Sequence, residues 1–177
     1  MPSAKHRDLY LLRHAKSDWN SSADSDFERP LAKRGKKDAP LMAKWMHKHK
    51  VKIDYLISSP AERTRQTVHA VVKELNIPNK DIHFDDRVYL ASVETLLVIL
   101  SECPPKAEKV MLVGHNPGLE DLLRHLVEER QLPFNESGKL LTTATLAHIS
   151  LPQDWSRLAQ HCGKLVSFTR PRDQADL

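Results

Sequence analysis

Residues 8–14 read Asp-Leu-Tyr-Leu-Leu-Arg-His, a nearly continuous apolar run that ends in an arginine and a histidine. A short run of this kind, without alternation of polar and apolar residues, is typical of a strand buried on both faces of a parallel sheet. Arg13 and His14 would then lie at the C-terminal end of that strand. Because ligands of open α/β sheets bind at this edge, the stretch predicts both a fold and the place of a site.

Strands and helices are predicted to alternate along the rest of the chain. Further strands are predicted near residues 54–58, 82–84, 109–113, 145–150 and 164–169. Helices are predicted near residues 34–50, 60–75, 93–102 and 119–129. This alternation predicts an α/β protein, a three-layer α/β/α sandwich with a mostly parallel central sheet. Since no linker divides the 177 residues, we expect a single domain over residues 1–177 with its core at about 7–170.

The composition and charge of the chain indicate which cellular compartment and which partners to expect. The net charge of +4 is mild, and the densest basic cluster, at residues 33–37, is followed by Asp38, as in a solvated helix start. Two cysteines without paired spacing argue against a disulfide framework or a thiolate metal site. The N-terminus has no apolar signal core, and no apolar run approaches the roughly 18 residues of a membrane span. We therefore expect a cytoplasmic monomer without a nucleic-acid or membrane partner.

Two later motifs also place charged or titratable side chains just after predicted strands. Residues 58–67, Ser-Ser-Pro-Ala-Glu-Arg-Thr-Arg-Gln-Thr, put Arg63 in the first turn of a helix, where amide donors and the helix dipole favour an anion. Residues 113–118, Val-Gly-His-Asn-Pro-Gly, put His115 between glycines that let the backbone approach a ligand. Taken alone, each motif also fits an ordinary strand end, helix start or tight turn.

The two arginines and two histidines would converge at one edge of the sheet. Arginine offers planar donors that match a phosphoryl group, and histidine is a nitrogen nucleophile that is largely neutral near pH 7. Ser17 and Asn20, shortly after His14, would add neutral donors to the same phosphoryl oxygens. The combination predicts phosphoryl transfer through a phosphohistidine.

Together the motifs resemble the histidine phosphatase superfamily, whose fold is called phosphoglycerate mutase-like. Arg13-His14 is similar to the family's signature Arg-His-Gly, and residues 29–35, which begin Arg-Pro-Leu and end Arg-Gly, resemble a segment common in small members. Alanine replaces the signature glycine at position 15, and the small phosphohistidine phosphatases of the SixA type look similar in tolerating it.

The resemblance implies roles for four residues. His14 would be the nucleophile that becomes phosphorylated. Arg13, Arg63 and His115 would line the phosphate pocket, with His115 donating a hydrogen bond to the phosphoryl group. No metal and no organic cofactor is expected.

The choice of substrate depends on the presence of a general acid, because alcohol leaving groups need a proton. The interval between Arg63 and His115 offers Asp85, Asp86 and Glu94, each of which also fits a solvated carboxylate. Phosphohistidine expels neutral imidazole and requires little help from an acid. This favours a phosphohistidine phosphatase acting on a phosphotransfer protein. The alternatives are a broad-specificity phosphomonoesterase for small phosphorylated substrates, a phosphoglycerate mutase-type enzyme and a non-catalytic phosphate-binding module.

Overall fold

The computed structural model describes residues 5–174, within which six strands and four α-helices alternate in the order β1-α1-β2-α2-β3-α3-β4-α4-β5-β6. The strands are β1 Arg7–Arg13, β2 Tyr55–Ser58, β3 Ile82–Phe84, β4 Lys109–Gly114, β5 Leu146–Leu151 and β6 Lys164–Thr169. The helices are α1 Lys33–Lys48, α2 Glu62–Leu75, α3 Val93–Ser101 and α4 Gly118–Leu126. None of these helices is both long enough and apolar enough to cross a membrane.

The six strands form one sheet in the order β3-β2-β4-β1-β5-β6. The first four strands run parallel to one another, and β5 and β6 are antiparallel to their neighbours. In this register Arg13 pairs with Gly114, and Ser58 pairs with Val113. The strands β1, β2 and β4 therefore end at the same level, and the residues that follow them meet at one edge of the sheet. The predicted mostly parallel sheet is confirmed.

Side chains of β1 alternate between two buried layers. Leu9 and Leu11 pack into the cluster shared with α3 and α4, whereas Tyr10 and Leu12 pack into the cluster shared with α1 and α2. Each such leucine contributes roughly 1.5–3 kcal/mol of hydrophobic stabilisation when fully buried. Helices cover both faces of the central strands, which confirms the predicted α/β/α sandwich.

Three helix boundaries differ from the prediction. The helix predicted from residue 60 begins at Glu62, because Ala61 is still extended with ψ 146°. The helix predicted to end at residue 129 ends at Leu126, where Val127 turns extended and is fully buried. The helix predicted over 34–50 covers Lys33–Lys48, and the chain leaves it through a left-handed residue, Lys50, at φ 57°.

Candidate active site

The residues that follow β1, β2 and β4 form a buried polar cluster at the sheet edge. His14 follows β1 and its backbone N–H donates to the carbonyl of Gly114 at 3.1 Å. The backbone N–H of Ser59, which follows β2, donates to the carbonyl of Val113 at 3.1 Å. The imidazole of His115 follows β4, and its ring centroid lies 5.2 Å from that of His14. Backbone hydrogen bonds thus extend the sheet by one residue and fix the two histidines side by side.

The hydrogen bond made by the His14 ring determines which nitrogen can react. Nδ1 lies 2.7 Å from the carbonyl oxygen of Ala15, which can only accept, so Nδ1 carries the proton and Nε2 holds the lone pair. Burial lowers the pKa of His14 to about 3, with additional lowering by His115 and the nearby arginines. The ring is therefore a neutral imidazole with a free nitrogen nucleophile at neutral pH.

Ala15 is compatible with this geometry. Its φ is not positive, its methyl group is fully buried, and its backbone N–H donates to the hydroxyl of Thr67 at 3.0 Å. The Thr67 hydroxyl in turn donates to the carbonyl of Arg63 at 2.8 Å, so α2 holds the backbone that orients His14. Alanine in place of glycine therefore brings no backbone strain to this position.

Arg63 is 3% exposed and is held by Asp26. Its Nη1 donates to the Asp26 carbonyl at 2.7 Å and its Nη2 donates to the Asp26 carboxylate at 3.1 Å. The same carboxylate accepts from the Tyr89 hydroxyl and from Arg29. The Tyr89 hydrogen bond, followed by the two arginines, lowers the pKa of Asp26 to about 2, so this carboxyl is ionised. Asp26, Tyr89 and the site role of Arg29 were not predicted from the sequence.

The predicted donors Ser17 and Asn20 occupy different environments. Ser17 is buried, and its hydroxyl oxygen accepts a hydrogen bond from Nε of Arg29 at 3.1 Å. The guanidinium of Arg29 also lies 3.7 Å from the ring centre of Trp19. Asn20 is exposed on the surface, where its backbone N–H donates to Asp18. The structure therefore brings Ser17 to the cluster as a support for Arg29 and places Asn20 on the exposed loop.

Ser59 contacts the ring of His115. Its hydroxyl oxygen accepts from the N–H of Ala61 at 3.2 Å and lies 2.8 Å from Nε2 of His115. With one lone pair occupied, the hydroxyl is suited to donate to Nε2, which places the ring proton on Nδ1. Burial, followed by the charge of Arg63, lowers the pKa of His115 to about 4, so the ring is neutral near pH 7.

Several buried donors of the cluster have no partner within residues 5–174. They are Nε of Arg13, Nε of Arg63 and Nδ1 of His115. Arg13 uses Nη1 to donate to the carbonyl of Leu141 at 3.1 Å, and burial lowers its pKa. An unpaired buried donor costs about 1–3 kcal/mol. An oxyanion with several acceptor oxygens would satisfy these donors beside the reactive nitrogen of His14, an arrangement suited to a phosphoryl group.

The three carboxylates considered as general acids do not bond to this cluster. Asp85 accepts from the guanidinium of Arg87 at 2.7 Å and 3.0 Å, and this pairing lowers its pKa. Asp86 and Glu94 are exposed. Asp26 bonds directly to Arg63 of the cluster, and its low pKa leaves it without a proton to donate.

The low pKa of His14 predicts an unusual pH profile. Because the free ring is unprotonated well below an ordinary histidine pKa of about 6.5, acid should not remove the nucleophile until near pH 3. We expect kcat/KM, corrected for the second ionisation of the phosphate at pH ~6, to stay flat down to about pH 4.5. Initial rates on an aryl phosphate across pH 4–8 test this. An enzyme pKa near 6.5 in the acid limb would contradict it.

Comparison with known proteins identifies relatives of this chain. The family model for the histidine phosphatase superfamily (branch 1) matches residues 9–88. A SixA crystal structure from Agrobacterium tumefaciens shares 32% identity and a TM-score of 0.78, over 93% of this chain and 98% of that one. A SixA structure from Nakamurella multipartitia shares 30% identity and a TM-score of 0.77, over 95% and 98% of the two chains. The phosphohistidine phosphatase SixA of Escherichia coli K12 is 27% identical over 146 residues, 82% of this chain and 86% of that protein.

The chain therefore belongs to the histidine phosphatase superfamily, and its fold and relatives support a phosphatase activity. Within that superfamily it falls in the SixA-type branch, which confirms the branch that the sequence motifs predicted.

Proposed function

We propose that this protein is a phosphohistidine phosphatase that acts on a phosphorylated protein through a phosphoenzyme at His14. The observation that carries the proposal is the hydrogen bond from Nδ1 of His14 to the Ala15 carbonyl, which leaves an unprotonated Nε2 beside buried, unpaired cationic donors. This nitrogen attacks phosphorus, the new N–P bond forms, and the bond between phosphorus and the substrate imidazole breaks. Water then cleaves the N–P bond, which releases phosphate and restores His14.

The arginines and His115 supply the charge stabilisation of both steps. The free Nε donors of Arg13 and Arg63 and the Nδ1 proton of His115 are suited to the equatorial phosphoryl oxygens. Ser59 orients His115, and Asp26 orients Arg63. In this proposal Arg13, His14, Arg63 and His115 contact the phosphoryl group, and Ser17, Ser59 and Asp26 are positioning residues.

The states of the four carboxylates considered above favour a phosphoramidate substrate over an alkyl phosphate substrate. Asp26 is ionised, Asp85 is paired with Arg87, and Asp86 and Glu94 are exposed. A general acid typically contributes about 10²–10⁴-fold to expulsion of a poor leaving group. Neutral imidazole, whose conjugate acid has a pKa of about 6.5, leaves without that contribution. The same reasoning disfavours phosphoglycerate mutase-type chemistry, which requires an acid for an alcohol oxygen.

A leaving-group series tests the proposal. Phosphohistidine on a phosphotransfer protein and aryl phosphates should be hydrolysed well, and simple alkyl phosphates at least about a hundredfold more slowly, because no acid protonates the alkoxide. Phosphate release is measured for each substrate at equal concentration. Asp85→Asn, Asp86→Asn and Glu94→Gln should each change phosphohistidine turnover by less than about threefold.

Two results would contradict the proposal. If one of these variants lost alkyl phosphate hydrolysis while it retained aryl phosphate hydrolysis, that residue would be a general acid and the protein a phosphomonoesterase. If no phosphate substrate were hydrolysed, a phosphate-binding role without catalysis would replace the proposal.

A further inference from the structure

A groove of about 590 Å³ lies next to the polar cluster and shares Arg13 with it. The cations that line this groove come from the end of β1 and the segment after it, from α1, from the loop before β5 and from the residues after β6. They are Arg13, Lys16, Arg34, Lys139, Arg170 and Arg172. We call this surface the basic groove.

The wall formed by α1 is fixed against the segment that follows His14. Gly35 lies so close to the backbone of Lys16 that a Cβ there would clash with the Lys16 carbonyl oxygen. That same oxygen accepts a hydrogen bond from the N–H of Ala32 at 2.8 Å. Backbone contacts therefore hold Lys16 and Arg34 in the wall of the groove. Only glycine at position 35 allows this close approach of the two backbones.

The opposite wall is fixed by Arg170 and by a tight turn. The Arg170 guanidinium donates to the carbonyls of Pro133 at 2.6 Å and Leu140 at 2.9 Å. Within that loop the side chain of Asn135 accepts from the N–H of Lys139 at 2.8 Å. The loop thus presents Lys139 from an ordered turn rather than from a loose connection.

The basic groove carries a large excess of positive charge. Asp38 is the acidic residue among those that line it in the described chain, against six cations. Burial raises the pKa of Asp38, and its carboxylate lies 3.7 Å from Arg34. Arg34, Lys139 and Arg172 are exposed, so their charged groups can meet a partner without prior unfolding.

We propose that the basic groove binds an acidic segment that flanks the phosphohistidine of the protein substrate, a proposal that rests on the proposed function. The exposed cations come from α1, from the loop before β5 and from the residues after β6, and several separate cations suit several carboxylates of a peptide better than a single phosphate. Because Arg13 belongs to both surfaces, a segment lying in the groove continues directly to His14.

The experiment compares peptides that carry phosphohistidine flanked by four glutamates or by four glutamines. At low salt, the wild-type kcat/KM should be at least about tenfold higher for the glutamate peptide, because several exposed ion pairs of modest individual strength add. The variant Arg34→Glu/Lys139→Glu/Arg172→Glu should lose this preference and should still hydrolyse an aryl phosphate at the wild-type rate. The retained aryl phosphate rate shows that the variant folds.

A control variant changes the same amount of charge at positions of α1 that lie outside the groove. Lys37→Glu/Lys44→Glu/Lys48→Glu alters three exposed lysines that do not line the groove. It should retain the preference for the glutamate peptide. If both triple variants lost the preference equally, net charge rather than the groove would explain it, and the proposal would be wrong.

The remaining outcomes separate the groove from the proposed function. Hydrolysis of both peptides at equal rates by the wild type would overturn the groove and leave the function standing. If neither peptide were hydrolysed, the function would fail, and inhibition of aryl phosphate turnover by an unphosphorylated glutamate peptide would then decide the groove. That inhibition should be at least about tenfold weaker in the groove variant.

A small aryl bisphosphate tests whether the groove binds small molecules instead. If the wild type preferred this substrate, if the groove variant lost that preference, and if the glutamate peptide were not preferred, the groove would be assigned to small molecules and the proposal would be wrong.

Discussion

Replacing His14 by alanine is expected to lower turnover of every phosphate substrate by at least about a thousandfold, or about 4 kcal/mol of transition-state stabilisation. Nε2 of His14 is the unprotonated nitrogen next to the unpaired donors of the two arginines. We do not expect His115 to replace it, because Nε2 of His115 is engaged by the Ser59 hydroxyl. Steady-state rates on an aryl phosphate and on phosphohistidine measure the loss.

The same prediction has a direct chemical readout. Wild-type protein mixed with labelled substrate and quenched in alkali should carry phosphate on His14, located by peptide mass spectrometry. His14→Asn is a second inactive variant, whose side-chain amide can still donate to the Ala15 carbonyl and so preserve the local backbone. His69→Ala, which alters an exposed histidine on α2, is the control and should retain full activity. An active His14→Ala enzyme, or phosphate found on His115, would refute the assignment.

The central strands were predictable because a strand that is buried on both faces is apolar at consecutive positions of the sequence. β1 is apolar at consecutive positions since Leu9 and Tyr10 enter different cores, and β4 shows the same pattern. Once these strands are placed in a parallel sheet, the residues after them must lie at one edge. The closeness of His14 and His115 therefore follows from topology alone.

The supporting residues were not predictable by the same reasoning. Asp26 and Arg29 lie in the irregular segment between β1 and α1, which has no periodicity to place its side chains. The Asp26 carboxylate contacts Arg63, which lies 37 residues further along the chain. Only the tertiary fold brings these two side chains together. One signal was present: Arg29 begins the segment at residues 29–35 that resembles small family members.

Hydroxyl groups before a helix are a similarly ambiguous signal. The motif at residues 58–67 also fits an ordinary helix start, and the Ser59 hydroxyl does accept from the N–H of Ala61, ahead of the first residue of α2. Its contact with the ring of His115, 56 residues away, has no counterpart in local sequence. Local rules therefore identify the reacting groups, whereas the residues that orient them depend on long-range contacts.

Replacing Arg63 by alanine is expected to lower kcat/KM by about 100–1,000-fold, or about 2.7–4 kcal/mol, the usual cost of removing one donor to developing oxyanion charge. The guanidinium divides its donors: both Nη atoms are bonded to Asp26, and the buried Nε has no partner among the described residues. The proposed substrate contact is thus made by Nε. Arg63→Lys should lose at least about tenfold, because a single ammonium group cannot serve Asp26 and the phosphoryl group in the geometry of the fork.

The control for Arg63 lies two residues further along the same helix. Arg65 is exposed, donates from Nε to the carbonyl of Pro60 at 2.8 Å and lies over the ring of Phe84. Arg65→Ala should therefore change kcat/KM by less than about threefold. Vanadate affinity, measured by inhibition, should fall for Arg63→Ala and stay unchanged for Arg65→Ala, because only the former removes a donor from the oxyanion site. A rate loss below about tenfold for Arg63→Ala, or 1.4 kcal/mol, would show that Arg63 is peripheral and that Arg13 and His115 carry the phosphoryl charge without it.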